Sequence, residues 1–216
     1  MPKKLKIISV ADTHRQHWDI KIPECDIFVF AGDGELDSAG ALFDFNRWLG
    51  TIKAKHKIVS GGNHDFFLAE KPKEELQTYF TNAIYVQNES VEIMGIKFWA
   101  SPYSVKFGNW AWMLNSQQLE KIWDTIPSDT DIVITHSPPF GILDDTGFSQ
   151  VPCGCPKLLY KLEEIKPKYH IFGHIHNGSG VYVKGDTTFI NASMLDDYYH
   201  LVNSHQAFLY NGGMND

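Results

Sequence analysis

Five short apolar runs, each ending in a cluster of glycine and ligand-type residues, constrain this chain more than any other feature. Leu5–Val10 ends at Ala11-Asp12-Thr13-His14, and Ile27–Ala31 ends at Gly32-Asp33-Gly34. Lys57–Ser60 ends at Gly61-Gly62-Asn63-His64-Asp65. Ile132–Thr135 ends at His136-Ser137-Pro138-Pro139, and Tyr169–Phe172 ends at Gly173-His174-Ile175-His176. The runs show little polar–apolar alternation, which is the pattern of strands covered on both faces. Helix-like stretches lie between several of them. Ala41–Leu49 puts Leu42, Phe45 and Leu49 on one face. Ser116–Ile126 starts from a Ser116 cap and spaces Leu119, Ile122 and Trp123 helically, and Pro156–Ile165 does so with Leu158, Leu159 and Leu162. Alternating strand and helix predict βαβ units and a mainly parallel sheet. Two hairpins supplement it: Val91–Met94 with Ile96–Ala100 around Gly95, and Val181–Val183 with Thr187–Asn191 around Lys184-Gly185-Asp186.

The 216 residues carry no internal repeat and no linker, so one domain over residues 1–216 is expected. Only the polar residues after Tyr210 look like a disordered tail. A formal charge of −7 argues against a protein that coats nucleic acid. Cys25, Cys153 and Cys155 have no disulfide-framework spacing and read as free thiols of a reducing compartment. The apolar stretch at the N-terminus is too short for a signal segment, and no run of about 18 apolar residues predicts a membrane span. The expectation is a cytoplasmic protein without membrane contact.

In open α/β sheets, ligand sites lie beyond the carboxyl ends of the strands. If the five strands lie in one sheet, Asp12, His14, Asp33, Asn63, His136, His174 and His176 converge on one rim. Taken singly, each has an ordinary explanation: Asp12 as a cap, Asp33 as a turn former, His174 and His176 as strand-end polar residues. Together they form a donor set of oxygen and imidazole without thiolate. That set suits Mn²⁺, Fe²⁺, Co²⁺, Ni²⁺ or Zn²⁺ rather than a structural zinc. Seven donors exceed one ordinary site, whereas two ions sharing a carboxylate at roughly 3.5–4 Å fit.

The blocks D-T-H (12–14), G-D (32–33), G-N-H-D (62–65), T-H-S-P-P (135–139) and G-H-I-H (173–176) resemble the calcineurin-like metallophosphoesterases. The stretches "FNRWLG" (45–50), "HKIVSGGNHD" (56–65), "THSPPFGILD" (135–144), "KPKYHIFGHIH" (166–176) and "TTFINAS" (187–193) look like the small metallophosphoesterase-domain subgroup, which includes vertebrate brain proteins active on cyclic nucleotides. The resemblance implies a four-layer α/β/β/α sandwich with mixed sheets and two divalent ions at its rim, Mn²⁺ favoured. It implies that Asp12, His14 and His176 hold one ion, that Asn63, His136 and His174 hold the other, and that Asp33 bridges them. By the same analogy His64 contacts the phosphate and protonates the leaving oxygen, Asp65 orients His64, and a metal-bridging hydroxide attacks. Some brain-type relatives carry glycine where His174 stands; this chain keeps the histidine.

Phosphoprotein phosphatases of the family carry an arginine soon after the bridging aspartate. Here that stretch is Gly34-Glu35-Leu36-Asp37-Ser38-Ala39-Gly40. The expected activity is therefore hydrolysis of small phosphodiesters, cyclic nucleotides among them, with Arg15 the one residue placed to change that preference. A nuclease and a catalytically silent protein-binding scaffold are the alternatives, and the acidic charge and intact ligand set disfavour them. Phe107–Trp112 is either a platform for a base or rim packing. His17, His56, His200 and His205 are given no role, His170 reads as a core residue, and Asn191 as a support of the rim.

Overall fold

The computed structural model describes residues 3–147 and 151–213. In chain order it contains β1 (Lys3–Val10), β2 (Cys25–Ala31), α1 (Ala39–Thr51), β3 (Ala54–Ser60), α2 (Phe66–Ala69), α3 (Lys73–Tyr79) and β4 (Ile84–Tyr85). There follow β5 (Glu89–Ile93), β6 (Ile96–Ser101), β7 (Ser104–Val105), β8 (Met113–Leu114), α4 (Ser116–Trp123), β9 (Ile132–Thr135) and α5 (Pro156–Ile165). The chain closes with β10 (Tyr169–Phe172), β11 (Gly180–Lys184), β12 (Thr187–Asn191) and β13 (Gln206–Gly213).

Two sheets stack. One has the order β13-β1-β2-β3-β4, the other β11-β12-β10-β9-β6-β5. Each has a parallel centre, with an antiparallel strand at β13 in the first and at β11 and β5 in the second. Between them lie Ile7, Ile27, Val29 and Ile58 from the first sheet and Phe98, Ile132, Ile134, Ile171 and Ile190 from the second. On the outer face of the first sheet, Leu42, Phe45, Trp48 and Leu49 of α1 cover Ile8, Val10, Phe28 and Phe30. On the outer face of the second, Leu119 and Trp123 of α4 and Leu158 and Leu162 of α5 cover Trp99, Val133, Phe172 and Phe189. Three apolar seams separate four layers, the α/β/β/α sandwich that was expected. Because successive residues such as Ile7 and Ile8 enter different seams, the strands have no polar face and no alternation.

Three expectations change. The five marked strands do not share a sheet: β1, β2 and β3 lie in one, β9 and β10 in the other. Their carboxyl ends still meet, because the two sheets bring the same edge to one rim. Helix α4 is capped by Asn115 rather than Ser116: Asn115 accepts from the Gln118 amide, and Gln118 accepts in return from the Asn115 amide. The residues after Tyr210 are not a loose tail as far as Gly213, since β13 pairs with β1 there. Among the described residues no helix is long and apolar enough to cross a membrane.

Candidate metal centre

The turns after β1, β2 and β10 are strained. Asp12, His14, Asp33 and His174 have φ of 53°, 38°, 59° and 72°. This is the left-handed region, which costs a non-glycine residue about 1–3 kcal/mol. Hydrogen bonds across the rim over-determine these turns. The amide of Asp12 donates to Gly32 O at 2.9 Å, and that of His14 to Asp33 O at 3.1 Å. The amide of His174 donates to both carboxylate oxygens of Asp12 at 3.0 Å. Two glycines make room for the carboxylates. A Cβ on Gly62 would lie 2.3 Å from Asp33 Oδ1, and one on Gly173 would lie 2.2 Å from Asp12 Oδ2.

Two clusters of donors result. Asp12, His14 and His176 form one and Asp33, His136 and His174 the other, with the donor atoms of each cluster all within 4.8 Å of one another. Asp33 Oδ2 reaches toward both, 3.2 Å from His136 Nε2 and 3.9 Å from His14 Nε2. Asn63 Oδ1 lies 2.9 Å from His136 Nε2. The seven residues singled out in the sequence are therefore gathered at one place.

The donor chemistry fits cations. His136 Nδ1 lies 3.0 Å from Ala31 O, so that nitrogen carries a proton, and Nε2 then faces two oxygens, of Asp33 and Asn63. His176 repeats the pattern. Its Nδ1 donates to Asp196 O at 2.9 Å, while its Nε2 faces His14 Nε2 at 3.3 Å and Asp12 Oδ1 at 3.7 Å. Lone pairs crowd toward each other in two buried places, and each crowd needs positive charge. In the metal-free chain protons supply it. Burial opposes a charge on His136 and His176, but Asp33 and Asp12 respectively outweigh it and raise both to about 9. Burial pushes His14 down to about 4 and His174 to about 3, so both are neutral and offer lone pairs at neutral pH. Burial works against the carboxylates too, yet the facing imidazoles hold Asp12 and Asp33 below the usual range. Divalent ions would replace two shared protons.

His64 and Asp65 follow in the same turn. His64 donates its amide to Asp33 Oδ1 at 2.8 Å, and its half-buried ring stacks on Trp110 and meets His14 edge-on, with centroids 4.3 and 4.7 Å away. The ring lines a cavity of about 240 Å³ together with Asp33, Asn63, His174 and His176. The expected role of Asp65 is corrected. Its Oδ2 accepts from the amides of Asp33 and Gly62 and its Oδ1 from that of Leu36, so the carboxylate ties the turn after β2 to the turn after β3 rather than orienting His64. Burial and nearby Asp33 push it up to about 7, against the pull of the Leu36 and Gly62 amides.

The segment 196–199 escaped the sequence reading. Asp196 holds His176 through its carbonyl, and Asp197 and Tyr199 line the cavity. The Tyr199 ring meets the edges of His14 and His176, with centroids 4.7 and 5.4 Å away. A usable signal existed: β12 also ends at this rim, so the strand-end rule points onward from Asn191. Asn191 supports the rim through Nδ2, which donates to Ile175 O at 2.8 Å. Ser193 Oγ donates to Asp12 Oδ2 at 2.6 Å, fixing that carboxylate from behind. His17 and His170 lie outside the cavity. His17 pairs with Asp44, and His170 packs among Phe172 and Phe189.

Comparison with known proteins agrees with this geometry. The family model described as calcineurin-like phosphoesterase matches residues 5–178. Human Metallophosphoesterase domain-containing protein 1 is 35% identical over 227 residues, which cover 94% of this chain and 70% of that protein. A UPF0046 protein of Caenorhabditis elegans is 35% identical over 206 residues, covering 88% and 69%. Among solved structures, the protein TT1561 of Thermus thermophilus superposes with a TM-score of 0.60 at 12% identity, over 97% of this chain and 99% of that one. The phosphopantetheinyl hydrolase of Mycobacterium tuberculosis does so with a TM-score of 0.58 at 12% identity, over 87% and 88%. These two share the fold. Fold, donor set and relatives define a metal-dependent phosphoester hydrolase. The chain belongs to the calcineurin-like phosphoesterase family, and within it to the small metallophosphoesterase-domain group.

Proposed function

We propose that the chain hydrolyses small phosphodiesters, cyclic nucleotides among them, at a centre of two divalent ions, with Mn²⁺ favoured. Asp12, His14 and His176 hold one ion, Asn63, His136 and His174 the other, and Asp33 serves both. When bound, such ions supply Lewis acidity, polarising phosphoryl oxygens and activating water at neutral pH.

The observation that carries the diester reading is the placement of Arg15. Its guanidinium pairs with Asp37, and its Nε donates to Glu35 O. It lines a different hollow, with His17, Ser38 and Asp44. Among the described residues no lysine or arginine lines the metal-side cavity. A phosphomonoester dianion would gain from a guanidinium clamp, whereas a diester monoanion needs none. Asp197 on the same wall further disfavours extra negative charge.

His64 is the proton donor in this reading. It faces the cavity without standing in either donor cluster, and Trp110 on one side and His14 on the other hold its ring. Phe107 and Trp110, both exposed rings at the cavity, offer faces to a base or other flat group.

The test is a comparison of bis-p-nitrophenyl phosphate, p-nitrophenyl phosphate and a cyclic-nucleotide panel on Mn²⁺-loaded protein. A higher kcat/KM for the bis ester is expected, with opening of at least one 2′,3′- or 3′,5′-cyclic nucleotide. A higher value for the monoester would defeat the diester reading. Turnover of the bis ester with every cyclic nucleotide intact would remove only the cyclic-nucleotide part.

A further inference from the structure

Beside the metal-side cavity lies a second hollow of about 610 Å³, and Phe107 and His174 line both. The rest of its lining includes Val105, Phe140, Pro152, Pro156 and Ile175. Phe107 is 65% exposed and Phe140 39%, so two large rings face solvent next to a buried charged centre. Exposed apolar surface of this kind marks a binding face when it is contiguous with a site. The contiguity is direct, since the Phe107 ring lies 5.6 Å from the His174 imidazole, centroid to centroid. Among its described residues this hollow has no lysine, arginine, aspartate or glutamate lining it.

We infer that this hollow receives an apolar ester arm of the substrate, and that it is the arm retained on the phosphorus. The inference rests on the phosphodiester reading above. A diester carries two arms, and the metal-side cavity shares Phe107 and His174 with the apolar hollow, so an arm on the phosphorus can pass from one to the other. The leaving arm must face His64 to take its proton. His64 stands beside Trp110 and His14, whereas His174 stands beside Phe107. The retained arm is therefore directed to the His174 side, where the apolar hollow opens. Its lining suits an aromatic or aliphatic group and gives nothing to grip a second phosphate. The substrate class becomes phosphodiesters in which one alcohol is apolar or presents a flat aromatic face.

The experiment uses two p-nitrophenyl diesters with the same leaving group, one retaining methyl and one phenyl. The phenyl ester should be preferred about tenfold, chiefly through KM, which corresponds to roughly 55 Å² of extra buried apolar surface. Phe140→Ser should collapse that preference, and Phe140→Leu should keep most of it. A second readout needs no turnover: calorimetric binding of diphenyl phosphate should exceed that of dimethyl phosphate by a similar factor. Equal binding of the two in the wild-type protein would overturn the inference, as would a preference that Phe140→Ser leaves intact. If neither diester is hydrolysed but diphenyl phosphate still binds better, the diester reading fails and the apolar subsite stands. If Phe140→Ser changes the sedimentation of the protein and not the preference, the hollow is a contact between two copies and the inference is wrong.

Discussion

The main-chain carbonyl of Asp196 accepts the Nδ1 proton of His176 at 2.9 Å, which turns the lone pair of Nε2 toward His14 and Asp12. The imidazole of a candidate donor is thus oriented by backbone, and that backbone is shaped by the Asp196 side chain. Asp196 Oδ1 accepts from the amides of Tyr198 and His200 at 2.9 and 2.8 Å.

Asp196→Ala should therefore weaken metal binding without removing a ligand. The expected loss is about 10–100-fold in affinity, the usual effect of disturbing a group that orients a ligand. Titration of the apo protein with Mn²⁺ measures it. Asp196→Asn keeps an acceptor oxygen and should recover part of the loss. Wild-type affinity in the alanine variant would show that the turn holds its shape unaided.

Asp33→Asn should be the most damaging single change at the rim. Its Oδ2 reaches both clusters, and its Oδ1 receives the His64 amide. Elemental analysis after Mn²⁺ loading should give about two ions per wild-type chain, as a shared carboxylate requires, and fewer in the variant. One ion in the wild-type protein would sink the two-ion centre.

His64→Ala should leave the metal content intact and lower kcat by roughly 10²–10⁴-fold, the size of a lost general acid. The loss should shrink for p-nitrophenyl esters, whose leaving group needs little protonation. Loss of metal in this variant would make His64 a ligand.

The donors were legible in the sequence because strand ends signal themselves locally: a short apolar run, a glycine, then Asp, Asn or His. His136 and His174 stand out in this way whatever lies between them. The division of strands between two sheets was not legible, because strands buried on both faces look alike in either sheet. The resemblance supplied that part. Strand β13 was hidden because Asn211-Gly212-Gly213 reads as a polar tail and is held by pairing with β1. The hold of Asp196 on His176 is made by a carbonyl, which every residue has, so residue type gives no sign of it. Asp65 misled for a related reason: its partners are the amides of Asp33, Gly62 and Leu36, from turns that sequence cannot bring together.

His170 gives a prediction about pH. Thr135 Oγ1 donates to Ser137 O at 2.6 Å and so receives the Nε2 proton of His170 at 2.8 Å, leaving a neutral ring in the outer seam. Burial holds that imidazole down to about 3. As pH falls below about 6.5, the unfolded chain takes up a proton at this residue that the folded chain refuses. The contribution of neutral His170 is thus complete above about pH 6.5 and is lost progressively as pH falls toward 3, by about 1.4 kcal/mol per pH unit. Urea titrations between about pH 5 and 7 should give His170→Leu a shallower acid dependence than wild type by that slope. Parallel curves would mean that His170 protonates in the folded state.

The two donor clusters draw on both ends of the polypeptide. Asp12 and His14 wait for His176, and Asp33 and Asn63 wait for His136 and His174. The early strands supply only part of each cluster, and the rest comes from the turns after β9 and β10. Neither cluster is complete until the chain has reached its tenth strand and the turn that follows it. A chain cut short anywhere before His176 lacks a member of the Asp12–His14–His176 cluster.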